Sequence, residues 1–465
     1  MFRAGVVAAI GIGVSASVAA APHYSIVDIG EKVGSEYAFS ATGLNASGQI
    51  SGSASYKVDP ASAIPQQPSI KAVVYDANGL RIAAAFGRKA EARAINAAGH
   101  TTGITDDANA AGHFAFLDNG SSAHILESPK RLEAVGNAIN SRDQIAGVYT
   151  GRWNDPGDLA GRNTHRPFFY DGEFHDLGLG GGGEGEATAL NDAGIVVGYM
   201  GVGMERGEIV QHAFRYDGQL HDLGTVPDSG CSATRATAIN NKGVIVGTAE
   251  LCKIDSTRGF IYDGAMHEIP RLDNARSTAL AINSAGDVVG SAVVKGAFHA
   301  ILVQGGVTTD LNAQVPELHD LILGEAIGIN DAGQILARGS QRGVYLLTPM
   351  PESEATALIR KNEADAAAKQ AAYLASVDVW SGSLAKITRD GASATLTYAD
   401  AANRPHSFAV VRPKMAAGML GNTDTGSWIY VAPDHKSGVM FNVSASGGVS
   451  GKAMNPLMMQ MMVGQ

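Results

Sequence analysis

The sequence predicts an all-β fold, a seven-bladed β-propeller of four-stranded blades, and three observations support it. A short phrase recurs seven times, with an apolar run that ends in Asn, two spacer residues and usually a Gly. The phrase recurs every 43 to 51 residues, a period typical of propeller blades. Each period holds short strand patterns separated by turn signals, which excludes a helical solenoid. The seven asparagines are Asn45, Asn96, Asn140, Asn191, Asn240, Asn283 and Asn330.

The turns of each repeat have local causes. The motif Asn can bond its side chain to the backbone two residues on, and the Gly can adopt the left-handed conformation that closes a hairpin. In the third repeat Asp143 replaces this Gly. Dipeptides such as Asp217-Gly218 lie between the third and fourth strand patterns and are typical of type I′ turns. Features present in every repeat indicate structure rather than chemistry.

The two ends of the repeat array predict how it closes. The seventh repeat shows three strand patterns and stops at Pro349 without a fourth. A matching fourth-strand pattern lies at the opposite end, at residues 24–30, before the first repeat. An N-terminal strand that completes the last blade would remove two exposed sheet edges. We therefore expect a ring closed by its N-terminal strand.

Composition changes on both sides of the repeats predict further segments. Residues 1–20 resemble a signal peptide, with Arg3, a short apolar stretch and a small-residue cleavage site, and an uncleaved anchor is the alternative. Residues 21–349 would form the propeller, 350–377 a helix, and 378–465 a small β-rich extension with a flexible tail. The leader predicts a secreted or periplasmic protein with no membrane span after cleavage.

Charge and motif content exclude several partners. The net charge of −10 and the absence of a Lys and Arg cluster argue against nucleic acid. Histidines recur at repeat-fixed positions such as His212 and His221, without the close spacing of a zinc site. The glycine run at 180–183 lacks the Lys-Ser/Thr of a phosphate-binding loop. We therefore expect no metal and no cofactor.

The two cysteines, Cys231 and Cys252, lie symmetrically about the turn at residues 240–243. If that turn closes an antiparallel hairpin, the two side chains face each other to within about one register step, which is close to disulfide distance. An exported protein would meet the oxidising conditions that a disulfide needs. The sequence predicts a bond, with two free thiols as the alternative.

The third strand pattern carries the triplet His212-Ala213-Phe214, which is echoed at residues 113–116, 165–170, 258–260 and 299–301. On this triplet the chain resembles the HAF-repeat family of predicted extracellular bacterial proteins, over about residues 24 to 348. The resemblance implies a secreted, propeller-like body. It implies no catalytic residues.

Loop length points to one face as the candidate binding surface. Insertions concentrate in the connections between second and third strands, and loops that tolerate insertions are where function is often found. The insertion of the third repeat carries Arg152, Trp153 and Asp155, which together suit stacking on a sugar or pairing with a carboxylate. A solvated loop whose Trp packs on a neighbouring blade is the structural alternative.

The inner strands supply a second set of candidates at the expected mouth of a central channel. Glu91, Glu186 and Glu325 are candidate catalytic residues, because two nearby carboxylates can act as acid and base. Arg93, Asn137 and Arg235 are candidate binding residues. Ion pairing between blades is the alternative for all six. Alignment of the first strands places one set at an equivalent position: Ser40, Glu91, Val135, Glu186, Arg235, Thr278 and Glu325.

Three functions are compatible with this sequence. The first is a secreted recognition module that binds an extracellular glycan, polymer or protein through its loop face. The second is a polysaccharide lyase or glycoside hydrolase that uses the channel-mouth carboxylates. The third is a structural surface protein. The sequence leaves open whether the protein is an enzyme, because propellers perform all three roles.

Overall fold

The computed structural model describes residues 22–34, 36–56, 69–107, 110–128, 132–152, 163–179, 183–205, 208–227, 233–251, 256–272, 276–318, 321–340, 343–376, 381–390, 393–400, 403–410, 426–431, 438–444, 446 and 448–454. The chain divides into two compact units, Met1–Thr356 and Ala357–Gln465. The predicted leader, the Trp153 and Asp155 positions and both cysteines lie outside the described residues.

The first unit is all-β apart from two short helical segments and the start of a longer helix, and it contains seven four-stranded antiparallel sheets. The first three sheets are β2(Tyr37–Leu44), β3(Ile50–Tyr56), β4(Ile70–Asp76) and β5(Gly79–Ala84); β6(Ala90–Ile95), β7(Thr101–Asp107), β8(Ala110–Asp118) and β9(Ala123–Ile125); and β10(Ala134–Ile139), β11(Ile145–Arg152), β12(Asn163–Tyr170) and β13(Phe174–Asp176).

The remaining sheets repeat this plan, each strand hydrogen-bonded to the next along the chain. They are β14(Gly185–Leu190), β15(Val196–Glu205), β16(Glu208–Tyr216) and β17(Leu220–Asp222); β18(Thr234–Ile239), β19(Ile245–Leu251), β20(Ser256–Tyr262) and β21(Met266–Glu268); β22(Ser277–Ile282), β23(Val288–Val294), β24(Ala297–Gln304) and β25(Val307–Asp310); and β26(Leu323–Ile329), β27(Ile335–Gly339) and β28(Val344–Met350) with β1(His23–Asp28).

The seventh sheet takes its outer strand from the N-terminus. Strand β1 runs antiparallel to β28 over six residue pairs, from His23 opposite Met350 to Asp28 opposite Tyr345. The Asp28 side chain then caps the short helix α1(Ile29–Val33) by accepting a hydrogen bond from the Glu31 N–H at 3.1 Å. The expected pairing of the N-terminal strand with the seventh repeat is therefore present.

Apolar side chains fill the spaces between consecutive sheets. Val197 of the fourth sheet packs with Ala236 and Phe260 of the fifth. The seventh sheet packs in the same way against the first, through Leu336 and Ile50, both of which are fully buried. Burial of about 25 cal/mol per Å² of apolar surface makes these spaces the main source of stability. Each sheet therefore depends on a neighbour to bury its faces.

Gly194 and Gly198 of the fourth repeat show why the recurring motif contains glycine at these two positions. Gly194 adopts φ +81° at the turn between β14 and β15, the left-handed region that other residues rarely occupy. Gly198 on β15 lies so close to β14 that a Cβ atom would overlap the carbonyl oxygen of Glu186. In the third repeat Asp143 adopts the same left-handed turn conformation, at φ 59°, so the turn is kept although Asp replaces Gly.

The second unit contains the remainder of helix α2(Glu352–Ser376) and one six-stranded antiparallel sheet. Its two edge strands lie close to each other, since the ring centroids of Phe408 on one and Tyr430 on the other are 5.4 Å apart. Leu396, Trp428 and Phe441 are buried in its core. The strands are β29(Ser381–Asp390), β30(Ser393–Asp400), β31(Pro405–Val410), β32(Gly426–Val431), β33(Gly438–Val443) and β34(Gly448–Met454). Their order across the sheet is β31-β30-β29-β34-β33-β32.

Among the described helices, none has both the length and the apolar composition that crossing a bilayer demands.

Candidate functional site

The inner strands carry a bulge that the sequence patterns did not reveal. The first strand of every sheet has a register shift next to its buried alanine, and the bulged side chain projects beside the following sheet. Thr188 donates to the Ala236 carbonyl at 2.9 Å, and Thr237 donates to the Ala279 carbonyl at 2.7 Å. The bulged residues are Thr42, Arg93, Asn137, Thr188, Thr237, Leu280 and Ile327.

Glu186 lies at the centre of a hydrogen-bonded cluster. Asn137 donates to Glu186 Oε1 at 2.8 Å and also to the carbonyl of Ala187 at 3.0 Å. The Tyr199 hydroxyl donates to Glu186 Oε2 at 2.6 Å. Burial, and then this hydrogen bond, raise the pKa of Tyr199 well above its ordinary value. Both carboxylate oxygens of Glu186 are therefore occupied by neutral donors.

Two arginines extend this cluster toward solvent. The exposed Arg235 lies over the Tyr199 ring, 5.0 Å from its centroid, and donates from Nε to Gln211 at 2.7 Å. Arg93, also exposed, donates to Asn137 at 3.4 Å. We define the inner-strand cluster as Arg93, Asn137, Glu186, Tyr199, Gln211 and Arg235. It joins four consecutive sheets and presents two guanidinium groups.

The other two candidate carboxylates have cationic partners close to them. Glu91 pairs at 3.2 Å with Lys89, which immediately precedes its strand β6. Glu325 pairs with Arg338 at 3.3 Å, and Arg338 also donates to the Ala41 carbonyl of the first sheet at 3.0 Å. Within the described part of the chain, no three His, Cys, Asp or Glu side chains gather as a metal site would require. The carboxylates therefore act as partners of neighbouring cations and donors.

The structure describes only the base of the third-repeat insertion. Arg152 ends β11 opposite Asn163, but its side chain and residues 153–162 lie outside the described part. Nearby, Arg166 donates to Asp176 at 2.9 Å and 2.6 Å. Burial, and then the charge of Asp176, raise the pKa of Tyr149 to about 12. The roles of Arg152, Trp153 and Asp155 stay predictions.

Histidines of the repeats pair with aspartates. His212 lies 2.8 Å from Asp222, and His221 lies 2.9 Å from Asp217. The bond to His221 is the largest cause that lowers the pKa of Asp217. These pairs connect neighbouring strands and turns, which is the structural role expected for repeat-fixed histidines.

The motif asparagines form a continuous series of hydrogen bonds. Each donates from Nδ2 to the backbone carbonyl of the next motif Asn, at 2.9 to 3.4 Å. Asn330 donates to the Asn45 carbonyl at 3.1 Å, so the series returns to its start. All seven side chains are buried. Their Oδ1 atoms accept from the turn backbone, as Asn240 does from Lys242 and Val244 at 3.0 Å.

A cavity of about 290 Å³ opens at the tight-turn end of the inner strands. Each of the seven motifs lines it with the apolar residue before the Asn, the Asn and the residue after it. We call it the turn-face cavity. It lies at the strand ends opposite the long connections, away from the face that the loop lengths favour. The residues after the motif Asn are Ala46, Ala97, Ser141, Asp192, Asn241, Ser284 and Asp331.

The charged groups of the turn-face cavity are aspartates. Asp192 accepts from the Ser141 N–H at 2.9 Å and from Asn241 Nδ2 at 2.7 Å. Burial acts to raise the pKa of Asp192, but the hydrogen bonds from Ser141 and Asn241 outweigh it and the pKa lies below its ordinary value. Asp331 accepts from the Ser284 N–H at 2.8 Å and from its hydroxyl at 2.9 Å.

The predicted disulfide can be tested directly. Strands β18 and β19 pair Thr234 with Ala249, and Cys231 precedes Thr234 by three residues as Cys252 follows Ala249 by three. We expect a Cys231–Cys252 peptide in a non-reducing digest analysed by mass spectrometry, and a loss of about 3 kcal/mol of stability in Cys231→Ser. Quantitative labelling of both thiols in the unfolded, unreduced protein would contradict the bond.

Comparison with known proteins gives limited likeness. A family described as "Protein of unknown function (DUF3466)" matches residues 182–366, which include the fourth to sixth sheets and three of the four strands of the seventh. The HAF-repeat resemblance stays a prediction. No curated protein matches the chain.

Two solved structures are similar at low identity. TolB from Acinetobacter baumannii is 12% identical, with a TM-score of 0.35, over 65% of this chain and 63% of that one. Trypanosoma rangeli sialidase in complex with sialic acid is 9% identical, with a TM-score of 0.33, over 88% of this chain and 69% of that one. This chain thus spans less than two thirds of the TolB chain that it matches.

Proposed function

We propose that the seven sheets are the blades of a closed β-propeller, and that the exported protein is a recognition module. Closure is supported by the return of the asparagine series from Asn330 to Asn45 and by the packing of Leu336 against the first sheet. The ligand is an extracellular glycan or another acidic extracellular polymer. It binds at the face from which the connections between second and third strands emerge.

One observation favours binding over catalysis. Glu91, Glu186 and Glu325 each have a partner of their own, namely Lys89, Tyr199 with Asn137, and Arg338. A retaining or inverting glycosidase needs one carboxylic acid and one carboxylate placed on either side of the same bond. Carboxylates held separately by neighbouring donors suit a structural role, in which they orient the side chains that contact them.

The exposed arginines supply the ligand chemistry. Stacking of Arg235 on Tyr199 and its bond to Gln211 fix the guanidinium plane, which lowers the entropy lost when it pairs with a carboxylate or sulfate group. Arg93 provides a second cation along the same inner strands. The sequence predicts that the insertion with Arg152, Trp153 and Asp155 belongs to this face and adds aromatic and polar groups to it. Together they favour an acidic glycan.

The test is a panel of neutral and uronate-bearing polysaccharides, with affinity and product release measured on the same samples. We expect affinity for uronate-bearing chains without turnover. Arg235→Ala and Trp153→Ala should each weaken binding by about tenfold or more, because Arg and Trp side chains often dominate interfaces. Val307→Ala is the control, because Val307 is an exposed apolar residue on the outer strand of the sixth sheet, beside the turn between β24 and β25 at the opposite face, and it should leave binding unchanged.

Product release that Glu186→Gln or Glu91→Gln abolishes would replace this proposal with the lyase or hydrolase. Binding unchanged in both Arg235→Ala and Trp153→Ala would remove the loop face as the site.

A further inference from the structure

The residues that directly follow the seven motif asparagines differ in whether their backbone N–H groups donate a hydrogen bond to a side chain of the next repeat. Three of these groups donate to the side chain of the equivalent residue in the next repeat. They are Ser141 to Asp192 at 2.9 Å, Asp192 to Asn241 at 2.9 Å, and Ser284 to Asp331 at 2.8 Å. An Asp or Asn in the next repeat is therefore the acceptor that this position uses.

The acceptor is missing where the next repeat has Ala or Ser. Asp331 precedes Ala46 around the series, Ala46 precedes Ala97, and Ala97 precedes Ser141. Within the described residues, the N–H groups of Asp331, Ala46 and Ala97 have no hydrogen-bond acceptor, and neither has that of Asn241, which precedes Ser284. The first three groups come from consecutive repeats, so they form one arc of donors that spans the junction of the seventh and first sheets.

The motif asparagines cannot satisfy this arc. Asn45 already accepts at Oδ1 from Ser47 and Gln49, and donates from Nδ2 to Gln49 and to the Asn96 carbonyl. Ala46 and Ala97 are exposed and line the turn-face cavity. Backbone donors held by a rigid turn recognise acceptor oxygens at little cost in conformational entropy.

We propose that the turn-face cavity binds a neutral sugar of monosaccharide size, whose hydroxyl oxygens accept from Asp331, Ala46 and Ala97. Its 290 Å³ lies just below the range of about 300–1,000 Å³ typical of sites for drug-sized ligands, so a small ligand fits. The carboxylates of Asp192 and Asp331 repel anions but can accept hydrogen bonds from sugar hydroxyls. This site is separate from the loop-face site proposed above.

The sharpest test introduces Asn at positions 46 and 97, which are equivalent to Asn241 of the fifth repeat. Asn241 accepts from the Asp192 N–H without adding charge, so Ala46→Asn and Ala97→Asn should occupy the Asp331 and Ala46 donors in the same way. Ala98→Asn is the matched control, one residue further along the same turn, where the N–H already donates to Asn96. Binding of D-glucose, D-galactose and D-mannose is followed by saturation-transfer NMR and calorimetry.

We expect at least one hexose to bind the full chain, with affinity lowered about tenfold or more in the Ala46→Asn, Ala97→Asn double variant and unchanged in Ala98→Asn. In the wild-type protein, that hexose should shift the amide resonances of Ala46 and Ala97, a readout that requires no variant to fold. Loss of hexose binding in Trp153→Ala would instead place the sugar at the loop face. Failure of all three hexoses to bind, equal or tighter binding of D-glucuronate, or full binding by the double variant would overturn the inference.

Discussion

Replacing Asn330 by Ala is expected to lower the free energy of unfolding of the first unit by about 3 kcal/mol. The substitution removes the bond to the Asn45 carbonyl at 3.1 Å and the bond to Gln334 Oε1 at 2.9 Å. It also removes the Oδ1 acceptor for the Ala332 and Gln334 N–H groups. Because Asn330 is only 5% exposed, water cannot fully replace these partners. Urea unfolding followed by circular dichroism gives the change.

The comparison with Asn240→Ala tests closure of the ring. Asn240 lies within the series and donates to the Asn283 carbonyl at 3.0 Å, whereas Asn330 joins the last repeat to the first. In a closed ring the two variants lose similar stability. Asn119→Ala is the control, because exposed Asn119 caps a local turn by accepting from Ser121 and Ser122, and should cost about 1 kcal/mol. An Asn330→Ala cost no larger than that of Asn119→Ala would contradict closure.

The repeated elements were predictable because local chemistry determines them. The Asn, the turn Gly and the alternating apolar residues each have a cause within one repeat, so strand order and turns follow from the sequence pattern. The pairing of β1 with β28 was also predictable, since one repeat lacked a fourth strand and the N-terminus supplied its pattern. The second unit was harder to predict, because no repeat relates its strands to one another.

The sites were less predictable because they depend on contacts between repeats. The sequence indicated that Glu186 and Arg235 occupy equivalent positions on neighbouring inner strands. It did not indicate that Tyr199 contacts both, through a hydrogen bond to Glu186 and through its ring to Arg235. Nor did it indicate that the bulged Asn137 spans two sheets, because a bulge leaves only a weak signal in alternation. The recurrent Asn does not reveal the turn-face cavity, because a residue present in every repeat indicates a structural role. The signal lay in the variable next residue, where Ala46 and Ala97 break the polar pattern.

Replacing Tyr24 by Ala is expected to cost about 3–5 kcal/mol and to loosen the seventh sheet. Tyr24 is 2% exposed, and its side chain packs in the core between the sixth and seventh sheets. Its N–H donates to the Gln314 carbonyl at 2.9 Å, so the residue attaches β1 both to β28 and to the preceding connection. Burial also raises the pKa of Tyr24 far above its ordinary value, as expected for a phenol removed from water.

Val27→Ala is the matched control on the same strand. Val27 pairs with Leu346 but is 37% exposed, so its truncation should cost less than about 1 kcal/mol. Hydrogen exchange followed by mass spectrometry on residues 344–350 separates the two variants. When β1 detaches, β28 becomes an edge strand whose freed backbone groups exchange with solvent. Fast exchange in Tyr24→Ala with near-native exchange in Val27→Ala is the expected result. Equal protection of residues 344–350 in both variants would mean that β1 does not stabilise the seventh sheet.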